Sequence, residues 1–305
     1  MFSYHHAFHA GNHADVLKHI TLLATLRHLM HKPGPLLLVD THAGAGLYRL
    51  DSPAGQTSGE AQAGVLRLQD LRDSQEASAD ALQDYLEQIA LLNPDCRPGQ
   101  AWRAYPGSPW LMRALMNQAG RAAAGDRLQL FELHPSDGQV LEQNVAQLQA
   151  GRQIRVERQD GFAGLRALLP PPARQGGSRR ALVLMDPSYE LKTDYDSVAT
   201  SIEDALRRFA TGVYLVWYPE LDRSASRRLP QRLQRLAQQT GRGWLHARLH
   251  VGQQAGERGL VASGMLVVNP PYTLAPTLKQ ALPLVLAQLR KPSGRHAGWS
   301  VEVSP

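Results

Sequence analysis

A carboxylate, a rigid turn and an aromatic ring stand together at Asp186-Pro187-Ser188-Tyr189, directly after five apolar residues, Ala181 to Met185. The apolar run reads as a short buried strand that turn residues stop abruptly. In open α/β sheets ligands bind at that carboxyl edge. These residue types suit methylation of an exocyclic base amine, a poor nucleophile because its lone pair is delocalised into the ring. Asp186 and the Pro187 carbonyl can each accept one N–H and so favour a localised, attacking nitrogen. A preorganised carboxylate also stabilises the positive charge that develops. Tyr189 offers a face on which an extruded base can stack. The same four residues are good turn chemistry in any loop, so the rest of the chain has to decide.

Other strand ends carry matching chemistry. Pro35 to Asp40 reads as a strand ending in an acid, followed by Thr41-His42-Ala43-Gly44-Ala45-Gly46. Those glycines let backbone approach a ligand without a Cβ clash. Asp51 to Gly59 reads as a loop, so no helix follows at once. Leu128 to Glu132 reads as a second strand whose terminal acid is placed to hold a ribose by both hydroxyls. A third, Ile154 to Arg158, ends in Asp160-Gly161, suited to reading an adenine edge. Ser108-Pro109 opens a helix, with Ser108 as N-cap and its hydroxyl available to a ligand. A helix over 136–150 is expected to be capped by Ser136. Near the N-terminus, His5, His6, His9, His13 and His19 cluster. Gly11 interrupts their helical spacing and no cysteine is near, so a metal site is not assigned. Asn12 caps the helix that follows, with Asp15 three residues on.

The elements that must position these residues alternate strand and helix, which predicts an α/β fold: a doubly wound, mainly parallel sheet of seven strands. The main domain takes 1–50 and 108–305. A small helical insertion takes 51–107, where Leu82, Tyr85, Leu86 and Ile89 form an apolar face opposite Asp70, Asp80, Asp84 and Glu87. That acidic surface argues against nucleic-acid contact there. Strands are also expected at 211–219, 244–251 and 264–268, helices at 223–240 and 275–290, and then an irregular tail. Arg223, Arg227, Arg228, Arg232 and Arg235 form a basic band along one of those helices, either a phosphate-contacting surface or a solvated face.

The chain has 305 residues, of which 43% are hydrophobic, enough for a full core. A net charge of +6 suits a polyanionic partner. The single cysteine, Cys96, excludes a disulfide framework and a cysteine-based zinc site, and fits a reducing cytoplasm. No secretory leader and no membrane span are expected. One rival to the first motif exists: Asn269-Pro270-Pro271-Tyr272, at the end of the last expected strand. Position favours Asp186, because the fourth strand lies beside the first and shares its crevice, whereas the seventh should lie near the far edge. A carboxylate is also the stronger acceptor for developing positive charge.

Taken together, SYHHAFHAGNHADVLKH, VDTHAGAG, YPGSP, ELHPSD, DGF, DPSYE-LKTDY, the WYP strand end and ASGMLVVNPP follow in this order over nearly the whole chain. In this the sequence resembles the bacterial 23S ribosomal RNA adenine-N6 methyltransferase family, which methylates adenine 2030. The resemblance implies a Rossmann-like class I S-adenosylmethionine methyltransferase fold with a helical insertion after the first strand. It implies cofactor contacts from His19, His42, Ser108, Glu132, Asp160 and Gly161, and Asp186 as catalytic acceptor beside Pro187 and Tyr189. Tyr4 would reach the RNA, with His6 and Lys18 supporting the site. The implied partner of this cytoplasmic enzyme, taken as a monomer without metal, is 23S ribosomal RNA. The family's tetrapeptide is usually Asp-Pro-Pro-Tyr. Ser188 departs from it, freeing φ and restoring an N–H while both acceptors survive. Rival readings are a DNA adenine-N6 methyltransferase, a non-catalytic nucleic-acid-binding protein on the same fold, and a histidine-rich metal protein.

Overall fold

Short apolar runs separated by amphipathic helices bury both their faces only by pairing side by side with helices above and below. A computed structural model of the chain has this arrangement. It describes residues 6–74, 79–97, 99–118, 121, 124–173, 179–253, 259–292 and 294–304, so Tyr4 and His5 lie outside the described residues. Strand β1 (Leu37–Asp40) lies between β4 (Arg127–Phe131) and β6 (Ala181–Met185), with β5 (Ile154–Glu157) outside β4 and β7 (Val213–Pro219) outside β6, all parallel. Beyond β7 the sheet turns antiparallel through β9 (Ala262–Val268), β8 (Trp244–His250) and β10 (Gly298–Val303). The order is therefore β10-β8-β9-β7-β6-β1-β4-β5.

The main sheet thus has eight strands rather than the seven expected, because the tail read as irregular pairs with β8 along its full length. The last expected strand is not near the far edge either. β9 sits between β7 and β8 and runs against both. Its end, Asn269, therefore lies at the opposite edge of the sheet from Asp186, and the Asn269 amide donates to Ala210 O (2.8 Å) and Gly212 O (2.6 Å). Direction and place together remove the rival tetrapeptide from the cleft.

Helices α1 (His13–Met30), α5 (Ser108–Met116) and α10 (Leu274–Leu289) cover one face of the sheet. Helices α7 (Gly161–Leu168), α8 (Thr193–Arg208) and α9 (Ser224–Gln239) cover the other. α1 is buried on nearly every side. It hides its two hydroxyls from the apolar core by bonding them to its own backbone, Thr21 to Leu17 O and Thr25 to Thr21 O, both at 2.8 Å. Asn12 caps it as expected, accepting from Ala14 N and Asp15 N. Two other caps fall earlier than expected. Gly107 rather than Ser108 precedes α5, and His134 rather than Ser136 precedes α6 (Pro135–Gln147). In each case a proline in the first turn, with its fixed φ, sets the start.

Between β1 and α5, β2 (Leu47–Arg49) pairs antiparallel with β3 (Ala104–Pro106) at the neck of a helical segment. The stretch read as a loop contains α2 (Pro53–Ser58), capped by Ser52, followed by α3 (Glu60–Ala63). α4 (Asp80–Ala90) buries Leu82, Tyr85, Leu86 and Ile89, the face expected from spacing. The segment grips the N-terminal run. Glu60 accepts from His9 Nδ1 and Asn12 Nδ2, both at 2.9 Å, and Val65 N donates to Gly11 O at 2.8 Å. No helix among the described residues is long and apolar enough to cross a membrane.

At the edge remote from the cleft, Arg121 and Asp126 form a buried ion pair (2.5 Å) that locks two connections together. Arg121 also donates to Lys32 O (2.6 Å) and Gly34 O (3.3 Å), and Asp126 accepts from Leu36 N (2.9 Å). Removing one partner leaves a buried charge and open carbonyls. Arg121→Ala is expected to lower the unfolding free energy by about 3 kcal/mol, measured by urea denaturation.

Candidate active site

Parallel register brings the strand ends expected to carry chemistry to one edge. Asp40 pairs with Leu184, so the chain after β1 and the chain after β6 leave the sheet side by side. Thr41 fixes this, its N–H and hydroxyl both donating to Leu184 O at 3.1 and 3.0 Å. Ala43 N donates to Phe131 O and Glu132 N to Glu157 O, which aligns the ends of β4 and β5 with them. These ends enclose a cleft of about 530 Å³, a size suited to a small-molecule ligand. His6, Lys18, His19, His42, Ser108, Glu132, Asp160, Gly161, Asp186 and Pro187 all line it.

The glycine-rich turn has a local cause. Gly44 has φ +57°, and a Cβ there would meet the Tyr48 hydroxyl at 2.3 Å. That hydroxyl accepts from Ala45 N at 3.1 Å, so the loop is wrapped around a buried phenol. At Gly161 a Cβ would lie 2.0 Å from Thr41 O. The start of α7 can press against the end of β1 only without a side chain. Asp160 caps α7, accepting from Phe162 N, and the Phe162 ring meets His42 edge-on at 4.8 Å.

Asp186 sits at the end of an ion-pair chain that starts on α1. Lys18 Nζ contacts Asp186 Oδ2 at 2.5 Å and Asp15 Oδ1 at 2.7 Å. Asp15 Oδ2 in turn accepts from Gly11 N (2.9 Å) and contacts His6 Nε2 (3.1 Å). Burial alone would drive Lys18 toward neutrality, but Asp15 and Asp186 overcome it and hold its pKa well above the usual value. Burial likewise opposes ionisation of Asp15, yet Lys18 and His6 keep its pKa well below the ordinary carboxylate range. Among the described residues Asp186 Oδ1 has no hydrogen-bond partner, so it is left to accept from a ligand.

Two histidines on the wall are kept neutral by burial, with the pKa values of His19 and His42 both pushed down to about 3. His19 Nδ1 shares a bond with Tyr105 OH (2.9 Å), while its buried Nε2 has no partner among the described residues. Glu132 takes Gly44 N and His134 N, one on each oxygen, at 2.8 and 2.7 Å. The Ser108 hydroxyl, expected to be available to a ligand, instead donates to Asp40 Oδ2 at 2.6 Å.

Tyr189 is the one described candidate that the structure turns away. Its φ of +55° swings the ring inward. It packs against Tyr195 and Trp217, and its hydroxyl donates to Trp217 O at 2.6 Å. Only 2% of the residue is exposed, so it presents no stacking face to the cleft. The residues that sequence reasoning missed are Asp15, Tyr48 and Leu191, whereas Asp40 is the acid expected at the end of the first strand. Asp15 was legible only as a helix cap. Leu191 lines the cleft rim although 66% exposed; an unpaired apolar residue five positions after Asp186 was its signal.

The family model described as Ribosomal RNA large subunit methyltransferase D, RlmJ, matches residues 33–301. Proteins named ribosomal RNA large subunit methyltransferase J from Haemophilus influenzae and Escherichia coli K12 are each 41% identical, the alignments covering 99% of this chain and 98% and 99% of theirs. A crystal structure of a protein from Legionella pneumophila shares 29% identity with a TM-score of 0.79, covering 97% of this chain and 98% of that one.

Burial raises the Asp40 carboxyl to about 6, against the opposing bond from Ser108. A folded value above the unfolded one means that this group favours folding at low pH and loses that contribution as pH rises through about 6. Between about pH 5 and pH 8, wild type should therefore lose about 1 kcal/mol of stability that Asp40→Asn keeps. Denaturant titrations at the two pH values measure the difference.

Proposed function

This chain belongs to the ribosomal RNA large subunit methyltransferase J family, and on that premise we propose that it moves a methyl group from S-adenosylmethionine to N6 of an adenine in 23S ribosomal RNA. The observation that carries the reading is Asp186: a carboxylate fixed by Lys18 through one oxygen, with the other free among the described residues, at the mouth of a ligand-sized cleft.

The residues present suit S-adenosylmethionine. Among the described residues the cleft lining carries Glu132, Asp137, Asp160, Asp186, Glu190 and Asp194, against Lys18 as its one lysine or arginine. Such a lining favours a cationic ligand, as a sulfonium with an ammonium group is. Glu132 keeps unused lone pairs beside its two backbone bonds and can accept from ribose hydroxyls. His19 Nε2, buried without a partner among the described residues, needs a polar ligand atom to offset its desolvation. Asp160 and the His42–Phe162 ring pair would hold the cofactor's adenine. When bound, the cofactor supplies an electrophilic methyl group.

The chain's own residues handle the amine. Asp186 Oδ1 and the Pro187 carbonyl accept its two hydrogens, which localises the nitrogen lone pair. Lys18 holds the carboxylate in place, and Asp15 with His6 holds Lys18. After transfer the surplus proton leaves to Asp186 or to water. Positioning and charge complementarity carry this chemistry. Ser188 changes neither acceptor.

Asp186→Ala is expected to bind S-adenosylmethionine with wild-type affinity by calorimetry. Labelled methyl transfer to 23S RNA should fall by at least about 10²-fold. Transfer at near wild-type rate by this variant overturns the role given to Asp186. Duplex DNA is expected to accept no label, and preferential labelling of DNA overturns the substrate.

A further inference from the structure

The cleft that is to receive an adenine is acidic, so it repels the backbone attached to that adenine. The attraction for a polyanion must come from outside it. α9 meets that requirement. Over Ser224–Gln239 it carries Arg227, Arg228, Arg232 and Arg235 and not one aspartate or glutamate, and all four arginines are exposed. Its buried stripe, Leu229, Leu233 and Ala237, packs it on the sheet, leaving the arginine side to solvent.

Position matters more than number. Arg232 Nη1 reaches Asp196 Oδ1 at 2.9 Å, on the first turn of α8. Thr193, Asp194 and Ser197 of that same turn line the cleft. Arg228, Arg232 and Arg235 are spaced i, i+4, i+7 and so form one stripe, whose middle residue abuts the rim. The pairs present are weak competitors for phosphate. Asp196 is 83% exposed, Arg228 only folds back on its own Ser224, and Arg235 has no ion pair among the described residues. An exposed pair contributes little, and a phosphate can displace it.

We infer that the Arg228–Arg232–Arg235 stripe of α9 is the phosphate-docking surface for the RNA strand flanking the target adenosine, guiding that strand over the first turn of α8 into the cleft. This rests on the reading of the substrate as RNA. The stripe touches backbone only, so it supplies affinity and orientation rather than sequence choice.

The test compares two triple variants, each losing three charges. One is Arg228→Gln with Arg232→Gln and Arg235→Gln. The other is Arg127→Gln with Arg152→Gln and Arg207→Gln, three exposed arginines at the end of the sheet away from the cleft. Methyl transfer to transcribed 23S RNA is measured against salt, with thermal melting and S-adenosylmethionine affinity as checks on folding and on the cofactor site. The α9 variant should raise KM for RNA at least about tenfold and flatten the log–log salt dependence by about two units, at roughly 0.7 to 0.9 for each phosphate no longer neutralised. Its kcat at saturating RNA and its cofactor affinity should match wild type, and the control variant should change KM less than about threefold. Unchanged KM and salt slope in the α9 variant overturn the inference, as does an equal effect of the control, which would trace the loss to net charge alone. Failure of wild type to methylate RNA at all would instead overturn the substrate reading.

Discussion

A single buried ammonium organises the candidate site. Lys18 stands between the buried Asp15 and the partly exposed Asp186 at the cleft, and it compensates the charge of both. Burying Asp15 and Lys18 together is costly, and each charge is tolerated only while its partner is present. The arrangement therefore does little for global stability and much for geometry. It fixes the carboxylate after β6 to the helix that opens the chain, on the far side of the cleft. Everything else at the site can be read as support for this link: the cap at Asn12, the Gly11 amide on Asp15, and the near-complete burial of α1.

The strand ends were legible in sequence because the sheet is parallel where it matters. Five parallel strands must all end at one edge, so acids and turn residues after each apolar run were bound to meet. That alone gathers Glu132, Asp160 and Asp186 around one cleft, with Asp40 buried behind Ser108. The α4 face was legible for the same reason, a strong helical period. Side-chain direction in irregular backbone was not. Tyr189 adopts a left-handed conformation that only a few residues in a hundred visit, and no pattern foretells it. The caps of α5 and α6 fall one and two residues before the serines expected to supply them, because each helix already includes its proline in the first turn. The serine hydroxyl at 108 went to a buried acid instead of a backbone amide.

The antiparallel flank shows a second limit of reading by pattern. Asn269-Pro270-Pro271-Tyr272 and Asp186-Pro187-Ser188-Tyr189 look alike as strings. Their strands run in opposite directions with β7 between them, so the two motifs emerge at opposite edges. β10 escaped notice because an edge strand with half-exposed residues lacks the continuous apolar signal of its buried neighbours.

Glu60 gives the helical segment between β2 and β3 a bearing on the cleft that its distance in sequence conceals. It clasps His9 and Asn12, so the peptide leading into α1 is tethered to an outlying module and not only to the sheet. The lie of that segment thus bears on where the helix carrying Lys18 begins. A chain shortened there would inherit every cleft-lining side chain of the main sheet yet lose the clasp that tells its leading peptide where to lie.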